Sequence, residues 1–372
     1  MSQAPRSPPN FTTTPSVAPL AFAGAVCESG SAAKDIGRSG QARHRTWNAV
    51  PLRPVSWISP VEATLQAFSD RLADAIRRCG NPVLVGLDPR FAQLPDPLRA
   101  DVAAEDLAGQ ARAYQQFCHG VIDAVAEHVP AVKPQAAFFE ELGPAGMEAL
   151  GQVIKYAAER GLLVILDGKR NDIGSTATAY ARGYLGSGGQ SPWGADALTV
   201  NPYLGDDSLA PFVEVATERG AGLFVLTKTS NPGGGMFQDL EADAKPLYRH
   251  VAAQVEALAK ETVGHCGYGA VGAVAGATYP EQLAELRAAM PHAWLLVPGF
   301  GAQGGAAADV AAAFDEQGYG AIVNNSRGII FAHSREPYRD RFKADQWREA
   351  VAAATREMIA ALREATPAGR LA

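Results

Sequence analysis

Asp167 and Lys169 stand two positions apart at the end of a short apolar run, Leu162 to Asp167, and Asp172 follows in the same polar stretch, Asp-Gly-Lys-Arg-Asn-Asp. Side chains two apart on a strand share a face, so this carboxylate and this ammonium point the same way. A second lysine, Lys133, lies in an earlier run of the same kind, Ala131 to Gln135. If the two runs are neighbouring strands, two lysines and two aspartates alternate in space on one rim. An isolated buried charge is costly, so such an array persists only where its members pair. Paired, desolvated groups of this kind are suited to stabilising or transferring charge. The plain structural alternatives are a solvated strand end for Asp167 and Lys169 and a helix N-cap for Asp172. Four complementary charges on adjacent strand ends favour a site.

The elements that must position them are legible in the hydrophobic pattern. From Val61 onward short β-branched or Leu-rich runs alternate with Ala-rich helical stretches, the order of parallel strands joined by crossover helices. After a first helix near Val61 to Arg78, strands are expected at Pro82 to Asp88, Ala131 to Gln135, Leu162 to Asp167 and Ala195 to Val200. Four more are expected at Gly222 to Thr227, Ala270 to Ala275, Ala293 to Pro298 and Gly320 to Asn324, each separated from the next by a helix. Eight strands in strict alternation predict an α/β fold of the (β/α)8 TIM-barrel type, with an amphipathic helix over Ala344 to Glu364 completing the outer ring. A doubly wound open sheet is the alternative.

Chemistry in such barrels gathers at the C-terminal ends of the strands. Asp88 ends the first, before Pro89, where it also suits a simple turn. Ser230 follows the fifth in Thr227-Lys-Thr-Ser-Asn-Pro-Gly, where its hydroxyl could equally serve the turn itself. Pro298-Gly-Phe-Gly-Ala-Gln303-Gly304-Gly follows the seventh and Asn325-Ser-Arg327-Gly the eighth. Loops in these two places commonly hold phosphate through backbone N–H groups, and Arg327 adds a charged fork. The bland reading is a pair of Gly-rich turns. The same glycines loosely fit a dinucleotide fingerprint, but they come late in the chain with no second half-domain, and a lone match is weak. His119, His128 and His265 form no pair at ligand spacing and are read as structural.

Composition narrows the function classes. The 372 residues are 47% hydrophobic and 19% charged, with a formal net charge of -6 and no basic run, so nucleic acid is not an expected partner. No stretch approaches the roughly 18 apolar residues of a membrane span. Cys27, Cys79, Cys118 and Cys266 are widely spaced, which indicates neither zinc nor a disulfide framework and suits a reducing cytoplasm. Residues 1–61 are rich in Pro, Ser, Thr and Ala and carry only Glu28 and Asp35 as acids. They read as a disordered extension or a start assigned too early, and they also suit an organellar transit peptide. Residues 62–372 form the barrel domain.

The stretch Asp167-Gly-Lys-Arg-Asn-Asp172-Ile173-Gly-Ser-Thr176 resembles the signature of orotidine 5′-monophosphate decarboxylases, in the form of their longer bacterial subgroup. The resemblance covers about residues 66–335, with the other motifs in order at the ends of the right strands. It implies a Lys-Asp-Lys-Asp tetrad of Lys133, Asp167, Lys169 and Asp172, in which Lys169 protonates C6 of the pyrimidine as carbon dioxide departs to leave uridine 5′-monophosphate. Asp167 would lie against the substrate carboxylate, and Lys133 and Asp88 would serve the ribose. Ser230 would recognise the base and Arg327 the phosphate. Gln303 would bridge phosphate and base from a closing loop, with Pro298 and Gly304 beside it. The resemblance also implies a homodimer with shared sites, in which Asp172, Ile173 and Thr176 reach the partner's ribose, and it implies no metal or organic cofactor. Two rivals share parts of this pattern. A metal-dependent sugar-phosphate decarboxylase or aldolase of the same suprafamily needs a carboxylate where Lys133 stands, because a lysine there repels the cation. A non-catalytic nucleotide-binding barrel would have little use for both lysines and both acids.

Overall fold

The apolar runs that the pattern marks as strands are buried over most of their length, and the eight close on one another in sequence order. In the computed structural model, which describes residues 65–301 and 306–371, the strands are β1 (Val83–Leu87), β2 (Ala131–Pro134), β3 (Leu163–Arg170) and β4 (Ala197–Val200). They continue with β5 (Gly222–Lys228), β6 (Val271–Ala275), β7 (Leu295–Val297) and β8 (Ala321–Asn325). All pairings are parallel, and β8 returns to β1 through Val83↔Val323 and Leu84↔Asn324. The TIM barrel expected from the alternation is therefore the fold, and the open sheet is excluded by this closure. The tail, residues 1–61, lies outside the described residues.

Two apolar layers hold it together. Outside the strands, Val85, Val132, Val164, Leu198 and Val225 pack against helical side chains such as Phe117, Phe139 and Phe212, all fully or almost fully buried. Inside, Leu84, Ala131, Ile165, Ala197, Phe224, Leu296 and Ile322 fill the barrel axis. The first helix, Phe68–Cys79, stoppers the end where the strands begin. Phe68, Leu72 and Ile76 recur every four residues, so one helical face enters the inner cluster. Phe68 meets Phe224 edge to face at 6.0 Å. Gly222 makes room for it, since a Cβ there would stand 2.1 Å from the Phe68 ring. The opposite end is left to the polar strand termini.

Several expected boundaries shift. The first helix starts at Phe68, with residues 65–67 non-helical and 61–64 outside the described residues. Between β7 and β8 the expected helix is, among the described residues, a 3₁₀ stretch, Ala308–Ala313. So short an Ala-rich piece cannot offset the cost of nucleating an α-helix without more chain to propagate into. The last helix runs from Trp347 to Ala365 behind a 3₁₀ turn, Ala344–Gln346. A small antiparallel hairpin, Glu241–Ala242 with Lys245–Pro246, sits in the long connection after β5. β3 also outlasts its apolar run, continuing past Asp167 to Arg170 through a register shift against β4 between Leu166 and Arg170.

Candidate active site

Two residues beyond the inner apolar layer, on the same faces of the same strands, stand Gly86, Lys133, Asp167, Thr199, Leu226, Pro298 and Asn324. Pleat periodicity places them in one ring, and all but Gly86 line a cavity of about 280 Å³ at the C-terminal mouth. Lys169, near the end of β3, and Asp88, Gln135, Ser230 and Arg327, beyond the ends of their strands, line it from above. Gly86 is small for a reason: a Cβ there would lie 1.8 Å from Ser326 Oγ, so the turn after β8 could not fold over β1.

Asp167 is the hub. Its Oδ2 accepts from Lys133 Nζ at 2.6 Å and Gln135 Nε2 at 3.0 Å. Its Oδ1 accepts from Lys169 Nζ at 2.5 Å and Thr199 Oγ1 at 3.0 Å. Lys133 is 4% exposed and Asp167 7%, so neither is solvated in the ordinary way. Burial by itself would raise the Asp167 pKa, but the ammoniums of Lys133 and Lys169 overcome it and hold the carboxyl well below the usual carboxylate range. Burial would likewise lower the Lys133 pKa, yet Asp167 and Asp88 outweigh it and the net direction is up. The array is thus ionised and tightly compensated, and the solvated-strand-end reading of Asp167 does not hold.

Lys169 occupies an unusual backbone position, with φ at +46°. A left-handed non-glycine residue costs about 1–3 kcal/mol and needs surrounding structure to enforce it. Here it falls within the register shift of β3, and its N–H finds Thr199 Oγ1 at 2.9 Å rather than a ladder carbonyl. Asp167 and Lys169 do converge as their spacing suggests, but through this distortion rather than through a regular pleat.

The rest of the mouth sorts clearly. Asp88 Oδ1 is buried and has no hydrogen-bond partner among the described residues, which suits a hydroxyl donor on a ligand. Asn324 Oδ1 is in the same condition. Ser230 lies on a loop pinned by Gln238, which accepts from Thr229 N at 3.0 Å and donates to Thr229 Oγ1 at 2.8 Å. Gly299 and Gly301 after β7 have φ of 101° and 68°, the conformation glycine tolerates. Gln303 and Gly304 lie outside the described residues. Asp172, Ile173 and Thr176 are not brought to this cavity. Nor is Asp172 a helix cap: the helix Gly174–Tyr184 begins after Ile173, and among the described residues Asp172 Oδ1 accepts only from the Ile173 N–H at 2.8 Å. Ile173 is 54% exposed.

Lys228, Arg170 and Arg90 invite a reading as rim charges, and two of the three are not. Lys228 is buried, paired with Asp239 and set between the rings of Tyr248 and Tyr279 at 5.3 and 5.2 Å. Arg170 pairs with Glu140 and donates to Tyr184 Oη at 3.0 Å. Only Arg90 is exposed, over the Phe138 ring. His119 is structural, stacked on Tyr156 at 4.0 Å. The residues that sequence reasoning passed over are Gln135, Thr199 and Asn324. Gln135 stands two places after Lys133, the same spacing that singled out Lys169, and was available to that argument. Thr199 required the pairing of Leu166 with Leu198, which sets β4 beside Asp167.

A profile of the orotidine 5′-phosphate decarboxylase / HUMPS family matches residues 82–339. An orotidine 5′-phosphate decarboxylase of Rhodopirellula baltica is 61% identical over 296 residues, 79% of this chain and 98% of its own. A crystal structure from Streptomyces avermitilis superposes with a TM-score of 0.66 at 37% identity, covering 81% of this chain and 96% of the other. The structure of Leishmania donovani OMP decarboxylase gives 0.58 at 34% identity, over 78% of this chain and 99% of its own.

Proposed function

The chain belongs to the orotidine 5′-phosphate decarboxylase / HUMPS family, and from that premise we propose that it converts orotidine 5′-monophosphate to uridine 5′-monophosphate and carbon dioxide, the last step of de novo UMP synthesis. The observation that carries this reading is the Asp167 carboxylate clamped between two lysine ammoniums at the cavity floor. The bond from C6 to the carboxylate breaks and its electron pair stays at C6. The Lys169 ammonium, held by Asp167 within the same cavity, stabilises that pair and delivers a proton to it. Asp167 opposes the substrate carboxylate more than it opposes the departing neutral carbon dioxide, which is differential stabilisation of the required sign. Lys133 and the unpartnered oxygen of Asp88 serve the ribose hydroxyls. Ser230 reads the base, Arg327 takes the phosphate, and Pro298, Gln303 and Gly304 complete that side of the pocket.

A metal-assisted chemistry at the same floor would have to displace Lys133, since both Asp167 oxygens already accept from ammoniums. Among the described residues no three His, Cys, Asp or Glu side chains are grouped to hold an ion. Purified protein is expected to consume orotidine 5′-monophosphate, followed by loss of its absorbance, at the same rate before and after exhaustive chelation. Activity abolished by EDTA and restored by magnesium would sink the cofactor-free mechanism.

The working unit in this reading is a homodimer in the cytoplasm. Asp172, Ile173 and Thr176 lie off the chain's own cavity, with Ile173 exposed, as residues that complete a partner's site would be. Cys79, Cys118 and Cys266 are free thiols, and no helix among the described residues is long and apolar enough to cross a membrane. Residues 1–61 are an extension that the barrel does not need. All eight strands begin at or after Val83, so a chain starting at residue 62 should keep the turnover and melting temperature of the full protein. Insolubility or inactivity of that truncation would make the extension part of the domain.

A further inference from the structure

We propose that Thr199 is a positioning residue for the decarboxylation, its single hydroxyl tying the Asp167 carboxylate to the backbone turn that presents Lys169. The inference rests on the decarboxylase reading above. Thr199 Oγ1 accepts from the Lys169 backbone N–H at 2.9 Å and donates to Asp167 Oδ1 at 3.0 Å. Lys169 Nζ reaches that same oxygen at 2.5 Å. Backbone, hydroxyl, carboxylate and ammonium therefore close a ring in which the position of each member depends on the others.

Three features give the hydroxyl this role rather than that of an ordinary buried threonine. Thr199 is 2% exposed, so its hydroxyl is shielded from bulk water. The Lys169 N–H falls where β3 shifts register against β4, and regular pairing resumes only at Arg170↔Val200, with Asn201 N donating to Arg170 O at 2.9 Å. The hydroxyl stands in for the missing ladder acceptor and holds Lys169 in its left-handed conformation. Its acceptor side is used by the N–H, which directs its proton to Asp167 and fixes the sense of the chain of hydrogen bonds. Thr199 lines the cavity, but its polar atom is already committed on both sides, so it acts on the reaction through Lys169 and Asp167.

Thr199→Val keeps the shape and deletes the hydroxyl. It is expected to lower kcat on orotidine 5′-monophosphate by about 30- to 100-fold, the scale set by misplacing a reacting group by roughly an ångström. Affinity for uridine 5′-monophosphate, which lacks the carboxylate and makes no demand on C6 protonation, should stay within about threefold. Thr199→Ser keeps the hydroxyl at the loss of one methyl group and should recover most of kcat. Steady-state kinetics, calorimetric titration with uridine 5′-monophosphate and thermal melts of the three proteins read this out. A Val variant with kcat near wild type, a Ser variant as slow as the Val variant, or nucleotide affinity falling in step with kcat would each overturn the positioning role. Wild-type protein that leaves orotidine 5′-monophosphate untouched would remove the decarboxylase reading itself, and this inference with it.

Discussion

Lys169→Ala is expected to lower kcat by at least about 10³-fold, because one side chain supplies both the positive charge that stabilises the electron pair at C6 and the proton that quenches it. Each of those contributions separately amounts to about 10²–10³-fold or more where it has been removed from other enzymes. Binding should suffer far less. The cavity keeps Asp88, Lys133, Ser230 and Arg327, while the Lys169 ammonium bonds to Asp167. The fold should also survive, since the Lys169 side chain is 47% exposed and its one ion pair among the described residues is with Asp167, which retains Lys133. The measurement is single-turnover decarboxylation beside a titration with uridine 5′-monophosphate. A variant that still turns over within tenfold of wild type would move the proton donor elsewhere, and Lys133 would be the next residue to replace.

The second large effect is a rescue. If Lys169 works in its own chain and Asp172 in the partner's site, then Lys169→Ala and Asp172→Ala homodimers are each severely impaired for different reasons. Mixing them should restore activity. In a heterodimer one site combines intact Lys169 with intact Asp172 from across the interface, and the other lacks both. The ceiling is about half of wild-type activity per heterodimer, on the premise that the residues of one site act as a unit. The position of Asp172 motivates the experiment: it is off the cavity of its own chain, followed by an exposed Ile173, and among the described residues bonded only to the next backbone N–H. Subunits verified to have exchanged and yet no more active than either parent would assign Asp172 to its own chain.

The residue pattern is enough to give the architecture and to single out charged residues that the fold then brings to one cavity. Hydrophobic periodicity reports burial directly, because a strand buried on both faces must be apolar throughout and a helix on the outside must be apolar on one stripe. That is why eight runs mark eight strands, and why, among the described residues, the one crossover that forms no α-helix is the short Ala-rich stretch at Ala308–Ala313. Charged residues at the ends of such runs are equally conspicuous, so the types and spacing of Lys133, Asp167 and Lys169 already point to the cavity that they line together.

The rest follows from contacts between segments far apart in the chain. Thr199 is an unremarkable residue in an apolar run until β4 pairs with β3 and sets its hydroxyl against Asp167, 32 positions away. The left-handed Lys169 follows from the register shift between those two strands, and no property of Gly-Lys-Arg announces it. Lys228 looks like a rim charge in sequence. It is buried because Asp239, Tyr248 and Tyr279 close around it, and a lysine can be buried only where such partners supply the stabilisation that water no longer gives.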